Sequence, residues 1–281
     1  MMIDQEAAYR QAELRISSRS ERREENVKQL ANLRTGQDFD WTKVEEPKRL
    51  AERARRLGFY ADASALLREP TNTELGNRVY EQIIDANNLL GVTFLHEGSR
   101  MARAVGRVTL PVPGGKRMGT GFMVSPRIMM TNNHVLADRL EAGNARLEFD
   151  FFEREDGATG PIMRFRLEPS SFFVTDVGLD FTLVATEAVN AEGERVSDRG
   201  WFPLVGPSGK AVVGERVSII QHPNGEPQKV TVHDNKVVVV DDDDLLLYVT
   251  DTMGGSSGSP VLNIDWDLVA LHHAAVGDSN E

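Results

Sequence analysis

The stretch Asp251-Thr252-Met253-Gly254-Gly255-Ser256-Ser257-Gly258-Ser259-Pro260-Val261 crowds small residues around a serine. An apolar run, Leu245-Leu246-Leu247-Tyr248-Val249, leads into it, and Val261-Leu262 leads out. Gly254, Gly255 and Gly258 permit backbone angles that other residues resist, and they leave Ser257 without bulky neighbours. A hydroxyl needs that freedom if a carbonyl carbon is to approach it and nearby amides are to point at the resulting oxyanion. A Gly/Ser hairpin loop explains the same residues without chemistry, because both residue types dominate turns. The choice between the two readings turns on whether the rest of the chain supplies a base and an acid.

Working outward, the base is sought among six histidines, at 96, 134, 222, 233, 272 and 273. A histidine taken singly is more often packed or exposed than catalytic, so context decides. Gly119 to Val124 and Met129-Met130-Thr131 read as a strand pair that delivers His134 at a short turn after Asn132-Asn133. The acid is sought in Leu179-Asp180-Phe181-Thr182-Leu183-Val184, where a carboxylate leads straight into an apolar strand. Burying it is costly without a hydrogen-bond partner. A histidine N–H is such a partner, and the carboxylate would then fix its tautomer. The order His134, Asp180, Ser257 therefore offers a base, an orienting acid and a nucleophile, each at a strand edge.

Composition removes other classes. The net charge of −11 argues against a nucleic-acid binder. The basic runs Arg19 to Arg23 and Arg53 to Arg56 are interleaved with Glu, as on a solvated helix face. Cysteine is absent, which excludes disulfides, thiolate metal sites and a cysteine nucleophile. The acidic run Asp241 to Asp244 lacks the spaced oxygen ligands of a calcium loop and reads as a hairpin tip. No metal or cofactor is called for. The start, Met1-Met2-Ile3-Asp4-Gln5-Glu6, lacks the basic and apolar regions of a secretory signal, and no apolar run approaches the roughly 20 residues that span a bilayer. The expected compartment is the cytosol.

The pattern divides the chain at residues 103 and 104. Residues 1–103 read as helical, with sparse apolar positions such as Ala7-Ala8, Leu14, Val27, Leu30 and Leu33 on the first helix. Gly58 reads as the turn between a second helical pair, and a further helix starts near Glu74. So thin an apolar face suits docking to a regulatory partner or to a further domain. Residues 104–281 read as about a dozen short strands, among them 107–110, 121–124, 146–149, 181–184, 216–220 and 229–232, without regular intervening helices. That is an antiparallel sandwich or barrel pattern.

The histidine segment, Asp180-Phe181-Thr182-Leu183, Gly255 to Pro260 and Leu268-Val269-Ala270-Leu271-His272-His273-Ala274-Ala275-Val276 resemble the chymotrypsin-like, trypsin-fold serine peptidases. The likeness is to their bacterial, disulfide-free glutamyl-endopeptidase branch, and it covers roughly residues 104 to 278. It implies two packed six-stranded β-barrels, with Ser257 as nucleophile, His134 as general base and then acid, and Asp180 as the orienting carboxylate. It also implies an oxyanion hole built from the backbone N–H groups of Gly255 and Ser257. Where cleavage-activated members keep an acid just before the nucleophile, this chain has Ser256, so that activation switch is absent.

Specificity is read from three positions. Thr252 and His272 stand at the offsets where glutamyl endopeptidases place residues that bind a substrate carboxylate, five before and fifteen after the nucleophile. A hydroxyl and an imidazole can hydrogen-bond that carboxylate, and an imidazolium would also offset its charge. Asp251 stands where trypsin-type enzymes keep the acid that selects Arg or Lys. The expected activity is endopeptidase cleavage after Glu. Cleavage after Arg or Lys through Asp251, and a catalytically silent peptide-binding scaffold, are the alternatives. The expected partners are a protein or peptide substrate and a regulatory protein or domain at the helical region, with no nucleic acid and no membrane.

Overall fold

A computed structural model describes residues 10, 14–35, 39–86, 90–206, 209–232, 235–241, 245–249 and 256–273. Helices give way to strands at residues 103–105. Before that point lie helices α1 (Ser20–Thr35), α2 (Pro47–Arg56), α3 (Tyr60–Arg68), α4 (Thr73–Ala86) and α5 (Thr93–Ala102). Pro47 opens α2, where its missing N–H would have no partner in any case. Gly58 turns α2 into α3 at φ +87, a left-handed angle that calls for glycine.

The first helix departs from the expected apolar face. Leu30 and Leu33 pack inward, but Val27 faces solvent and the polar Asn26 is buried. Asn26 Nδ2 donates to the Val238 carbonyl at 2.7 Å, so a polar tether supplements the apolar contact. Ala7-Ala8 lie outside the described residues.

Beyond Ala104 the chain is strand upon strand: β1 (Val105–Val112), β2 (Gly115–Met123), β3 (Ile128–Thr131), β4 (Arg146–Phe149), β5 (Met163–Arg166), β6 (Phe173–Asp176) and β7 (Phe181–Ala185). One short helix, α6 (Arg139–Asn144), interrupts them. These strands form a seven-stranded sheet in the order β5-β4-β1-β2-β3-β7-β6. Then come β8 (Ser218–Gln221), β9 (Lys229–Thr231), β10 (Val237–Asp241), β11 (Leu245–Tyr248), β12 (Pro260–Leu262) and β13 (Leu268–Leu271). They form a four-stranded sheet, β13-β12-β8-β9, and the hairpin β10-β11.

The class is mostly β with N-terminal helices, as expected, but the described strands do not form two closed six-stranded barrels. The first sheet gains the short edge strand β6 and curls until Leu167 bridges Thr186 and Glu168 N–H reaches the Ala185 carbonyl at 2.7 Å. In the second half, the β10-β11 hairpin is tied to the strands before it by Val217 N–H on Asn235 O and Val237 N–H on Glu215 O, both 2.9 Å. Loop-to-strand bonds thus take the place of a continuous ladder.

Among the described residues, three apolar cores hold these layers. The first places Phe122, Phe149, Phe165 and Phe202 inside the seven-stranded sheet, together with Trp266 from the second half. Fully burying each such ring contributes about 1.5–3 kcal/mol. The second core belongs to both parts of the chain: Trp41, Leu50, Leu66, Tyr80 and Ile83 from the helices enclose Val212 and Val213. Polar contacts reinforce it. The Tyr80 hydroxyl donates to the Val213 carbonyl, and Glu45 Oε2 accepts the Val213 N–H at 3.2 Å. Arg53, fully buried, meets Glu215 at 2.9 Å. Among the described residues, no helix is long and apolar enough to cross a membrane.

Candidate active site

Strand register assembles the site. β3 pairs with β7 through Thr131↔Thr182, so the residues just after β3 face the residue just before β7. Those are residues 132–134 and Asp180. Asp180 takes φ +50, uncommon for a residue other than glycine but tolerated by Asp. Asn132 Nδ2 holds its carbonyl at 2.9 Å. With the backbone turned this way, Oδ1 accepts the His134 N–H at 2.9 Å and Oδ2 lies 2.7 Å from His134 Nδ1.

Burial pushes the Asp180 carboxyl up, but hydrogen bonds from His134 and His273 outweigh it and hold its pKa at about 2. The group is therefore a carboxylate at neutral pH and can only accept. His134 must then present Nδ1–H to it, which leaves Nε2 of the neutral ring as an acceptor, the form a general base requires.

Three main-chain bonds set Ser257 and the two residues after it against Thr120 and His272. Its carbonyl accepts Thr120 N–H at 2.9 Å, Gly258 N–H reaches His272 O at 3.0 Å, and His272 N–H returns to Ser259 O at 2.8 Å. Gly258 sits at φ +87, and a Cβ there would lie 2.1 Å from the Thr120 carbonyl oxygen, so the residue following Ser257 has to be glycine. The half-buried Ser257 hydroxyl donates to His273 O at 3.3 Å. Asp251, Thr252 and Gly255 lie outside the described residues.

A cavity of about 620 Å³ is lined by Lys210, Leu246, Tyr248, Leu271, His272 and His273, among others, and His273 links it to Ser257 and Asp180, which do not line it. His272 is buried, and its Nδ1 is 2.5 Å from the Tyr248 hydroxyl. Burial pushes His272 down to about 4, so the ring is neutral at neutral pH. The imidazolium considered from the sequence is thus replaced by a neutral ring. Burial raises the Tyr248 pKa, so the phenol keeps its proton. The phenol and the neutral ring share one hydrogen bond, Tyr248 Oη to His272 Nδ1. Burial also lowers Lys210, whose Nζ donates to Leu268 O at 3.0 Å.

Two members of this arrangement carry no role in the sequence reading. Tyr248 appears there only as part of an apolar run, and His273 only as the neighbour of His272. The Nδ1 atom of His273 also contacts Asp180 Oδ2. His134, Asp180 and His273 bring three possible ligand atoms within 4.8 Å of one another, but a cation there would displace the N–H bonds that orient His134. The segment around His222, given only a turn role, is a buttress: His222 is buried, and its N–H donates to Thr120 Oγ1 at 3.0 Å.

Residues 119–271, which include His134, Asp180 and Ser257, match the trypsin-like peptidase domain family. The chain is 37% identical over 211 residues to the uncharacterized protein y4fB of Sinorhizobium fredii, covering 71% of this chain and 32% of that protein. It is 30% identical over 191 residues to secreted RxLR effector protein 73 of Plasmopara viticola, covering 62% of this chain and 45% of that protein. The chain thus spans less than half the length of these curated relatives. Among solved structures it is similar to the active form of the Rv3671c protease from M. tuberculosis, at 19% identity over 65% of this chain and 74% of that one, TM-score 0.45. It is also similar to Deg5, at 18% identity over 68% of this chain and 85% of that one, TM-score 0.47.

Proposed function

Since residues 119–271 show that this chain belongs to the trypsin-like peptidase domain family, we propose that it is a serine endopeptidase acting through Ser257, His134 and Asp180. The observation that carries this reading is the grip of Asp180 on His134, one carboxylate oxygen on the backbone N–H and the other on Nδ1. In the proposed reaction Ser257 Oγ turns from the His273 carbonyl to His134 Nε2, passes its proton there and attacks the substrate carbonyl carbon. The backbone N–H groups of Gly255 and Ser257 hold the oxyanion. His134 gives the proton to the leaving amine, and water then releases the acyl group by the same steps in reverse.

Cleavage after Glu is the proposed specificity. Its support is the pairing of Thr252 with His272 at the offsets that bind a substrate carboxylate, His272 being a neutral ring on the cavity wall bonded to Tyr248. The helices before Ala104 are proposed to regulate the site or dock a partner, and Arg15 Nη1 reaches Gly178 O, two residues from Asp180, at 3.2 Å. A silent peptide-binding scaffold draws on one observation, the Ser257 hydroxyl resting on a carbonyl.

A fluorophosphonate probe tests the enzyme reading. Labelling that is lost in Ser257→Ala and in His134→Ala supports it, whereas unlabelled, well-folded protein selects the scaffold. Cleavage-site profiling on a peptide library tests specificity. Cuts confined to Arg and Lys sites would hand the pocket to Asp251.

A further inference from the structure

We propose that a second cavity, on the outer face of the seven-stranded sheet, binds a phosphate monoester between Arg146 and Arg166. It measures about 310 Å³ and is lined by Arg146, Arg164, Arg166, Glu187, Asn190 and Glu192, among others. It shares no lining residue with the cavity that His272 borders, so its ligand does not compete for that space.

Strand register brings the arginines together. β4 and β5 pair antiparallel through Arg146↔Arg166, Leu147↔Phe165 and Glu148↔Arg164. Side chains alternate between the two faces along each strand. Leu147 and Phe165 are fully buried in the core, so Arg146, Glu148, Arg164 and Arg166 share the outer face. Directly opposite residues stand about 5 Å apart at Cβ, where unlike charges attract and like charges repel. Glu148 and Arg164 use that geometry, with Oε1 accepting from Nε at 3.0 Å. Arg146 and Arg166 run against it.

The nearby carboxylates do not relieve this like-charged pair. Glu148 gives its other oxygen to Arg107 Nε at 2.9 Å. Glu187 Oε1 accepts the Arg166 backbone N–H at 2.7 Å. Arg146 Nη1 donates to the Ala145 carbonyl at 2.7 Å. Among the described residues, neither guanidinium forms an ion pair with a carboxylate, and that of Arg166 makes no hydrogen bond.

This donor set selects its ligand by charge and size. Each guanidinium presents five N–H donors in a planar fork. Two forks on one cavity match a compact group with about two negative charges and several acceptor oxygens, which describes a phosphate monoester at neutral pH. A single carboxylate answers only one fork. Long polyanions meet repulsion from Glu187 and Glu192 on the same wall. The wall is also held in place. Glu187 N–H donates to Arg166 O at 3.0 Å, and Asn190 Oδ1 accepts the Glu194 N–H at 2.8 Å, so little ordering is needed on binding.

The test is isothermal titration calorimetry of the full chain at constant ionic strength. The probes are inorganic phosphate, a phosphoserine peptide and the same peptide unphosphorylated. Saturable binding of a phosphate probe is expected, with none by the unphosphorylated peptide. Tighter binding of the phosphopeptide than of the free ion would assign the site to a phosphorylated protein, and the reverse order would assign it to free phosphate. Arg166→Gln should weaken binding about tenfold or more, the loss expected for hydrogen bonds to a charged group. Glu192→Gln should tighten it, a change that a folding defect would not produce. No saturable binding of either phosphate probe, equal binding of the unphosphorylated peptide, or wild-type affinity when Arg146→Gln is combined with Arg166→Gln would each overturn the proposal.

Discussion

Replacing Arg53 with Met tests how the helices and the β-rich half hold together. Met keeps the apolar stem packed and removes the guanidinium. That group makes three contacts with Glu215, Nε to Oε1 and to Oε2 at 3.0 Å each and Nη2 to Oε1 at 2.9 Å, and one with Asp265 at 3.2 Å. Asp265 is half exposed, so its share is small, at most about 1 kcal/mol. Glu215 is 2% exposed and cannot be rehydrated without opening the core. Removing one partner of such a buried pair costs about 3–5 kcal/mol, a large part of the roughly 5–15 kcal/mol by which domains are stable. The assay is urea unfolding followed by tryptophan fluorescence. Trp41 reports from the helical side of the shared core, and Trp266 from the peptidase side, where it stacks on Phe94 with centroids 4.6 Å apart. The expected result is one transition, shifted by several kcal/mol. Arg53→Met combined with Glu215→Met should recover much of the loss, because the stranded charge goes too. A loss below about 1 kcal/mol, or a double variant as weak as the single one, would refute the reasoning. Separate transitions would show that the helices do not share a cooperative core with Val212 and Val213.

Further outcomes follow from the same geometry. His222 and His272 are both held by burial at about 4, so between about 6.5 and 4 the unfolded chain binds protons that the folded chain refuses. Stability is therefore full above about pH 6.5 and falls toward pH 4, by up to about 1.4 kcal/mol per pH unit for each ring. His222→Gln should flatten this acid limb in a denaturation series, and a wild-type curve level from pH 7 to 5 would contradict the assignment. Tyr248→Phe removes the hydroxyl that bonds His272 Nδ1. It should raise KM for Glu substrates several-fold with kcat little changed, and an unchanged KM would remove Tyr248 from substrate reading. Gly258→Ala should abolish fluorophosphonate labelling, since its Cβ would overlap both the Thr120 carbonyl and Thr131 Oγ1. Normal labelling of that variant would mean the loop closes differently.

The arrangement also explains which parts of the fold and site can be read from sequence. The order His134, Asp180, Ser257 is legible because each residue interrupts or abuts a local strand pattern, and the β3–β7 register then brings the first two together. The Arg53–Glu215 pair is not legible, because 162 residues separate its members and each looks like one more surface charge. Strands β5 and β6 escape notice for a related reason. Arg164 and Arg166 alternate with one buried ring, Phe165, and an edge strand of four residues carries too little pattern to stand out. His273 is the instructive case. The doublet His272-His273 can be read as a doubled version of one role, yet successive side chains along an extended segment point to opposite faces. Both rings line the cavity, yet His272 meets the Tyr248 hydroxyl and His273 meets Asp180. Spacing from the serine alone does not separate these two contacts, because Tyr248 and Asp180 come from distant parts of the chain.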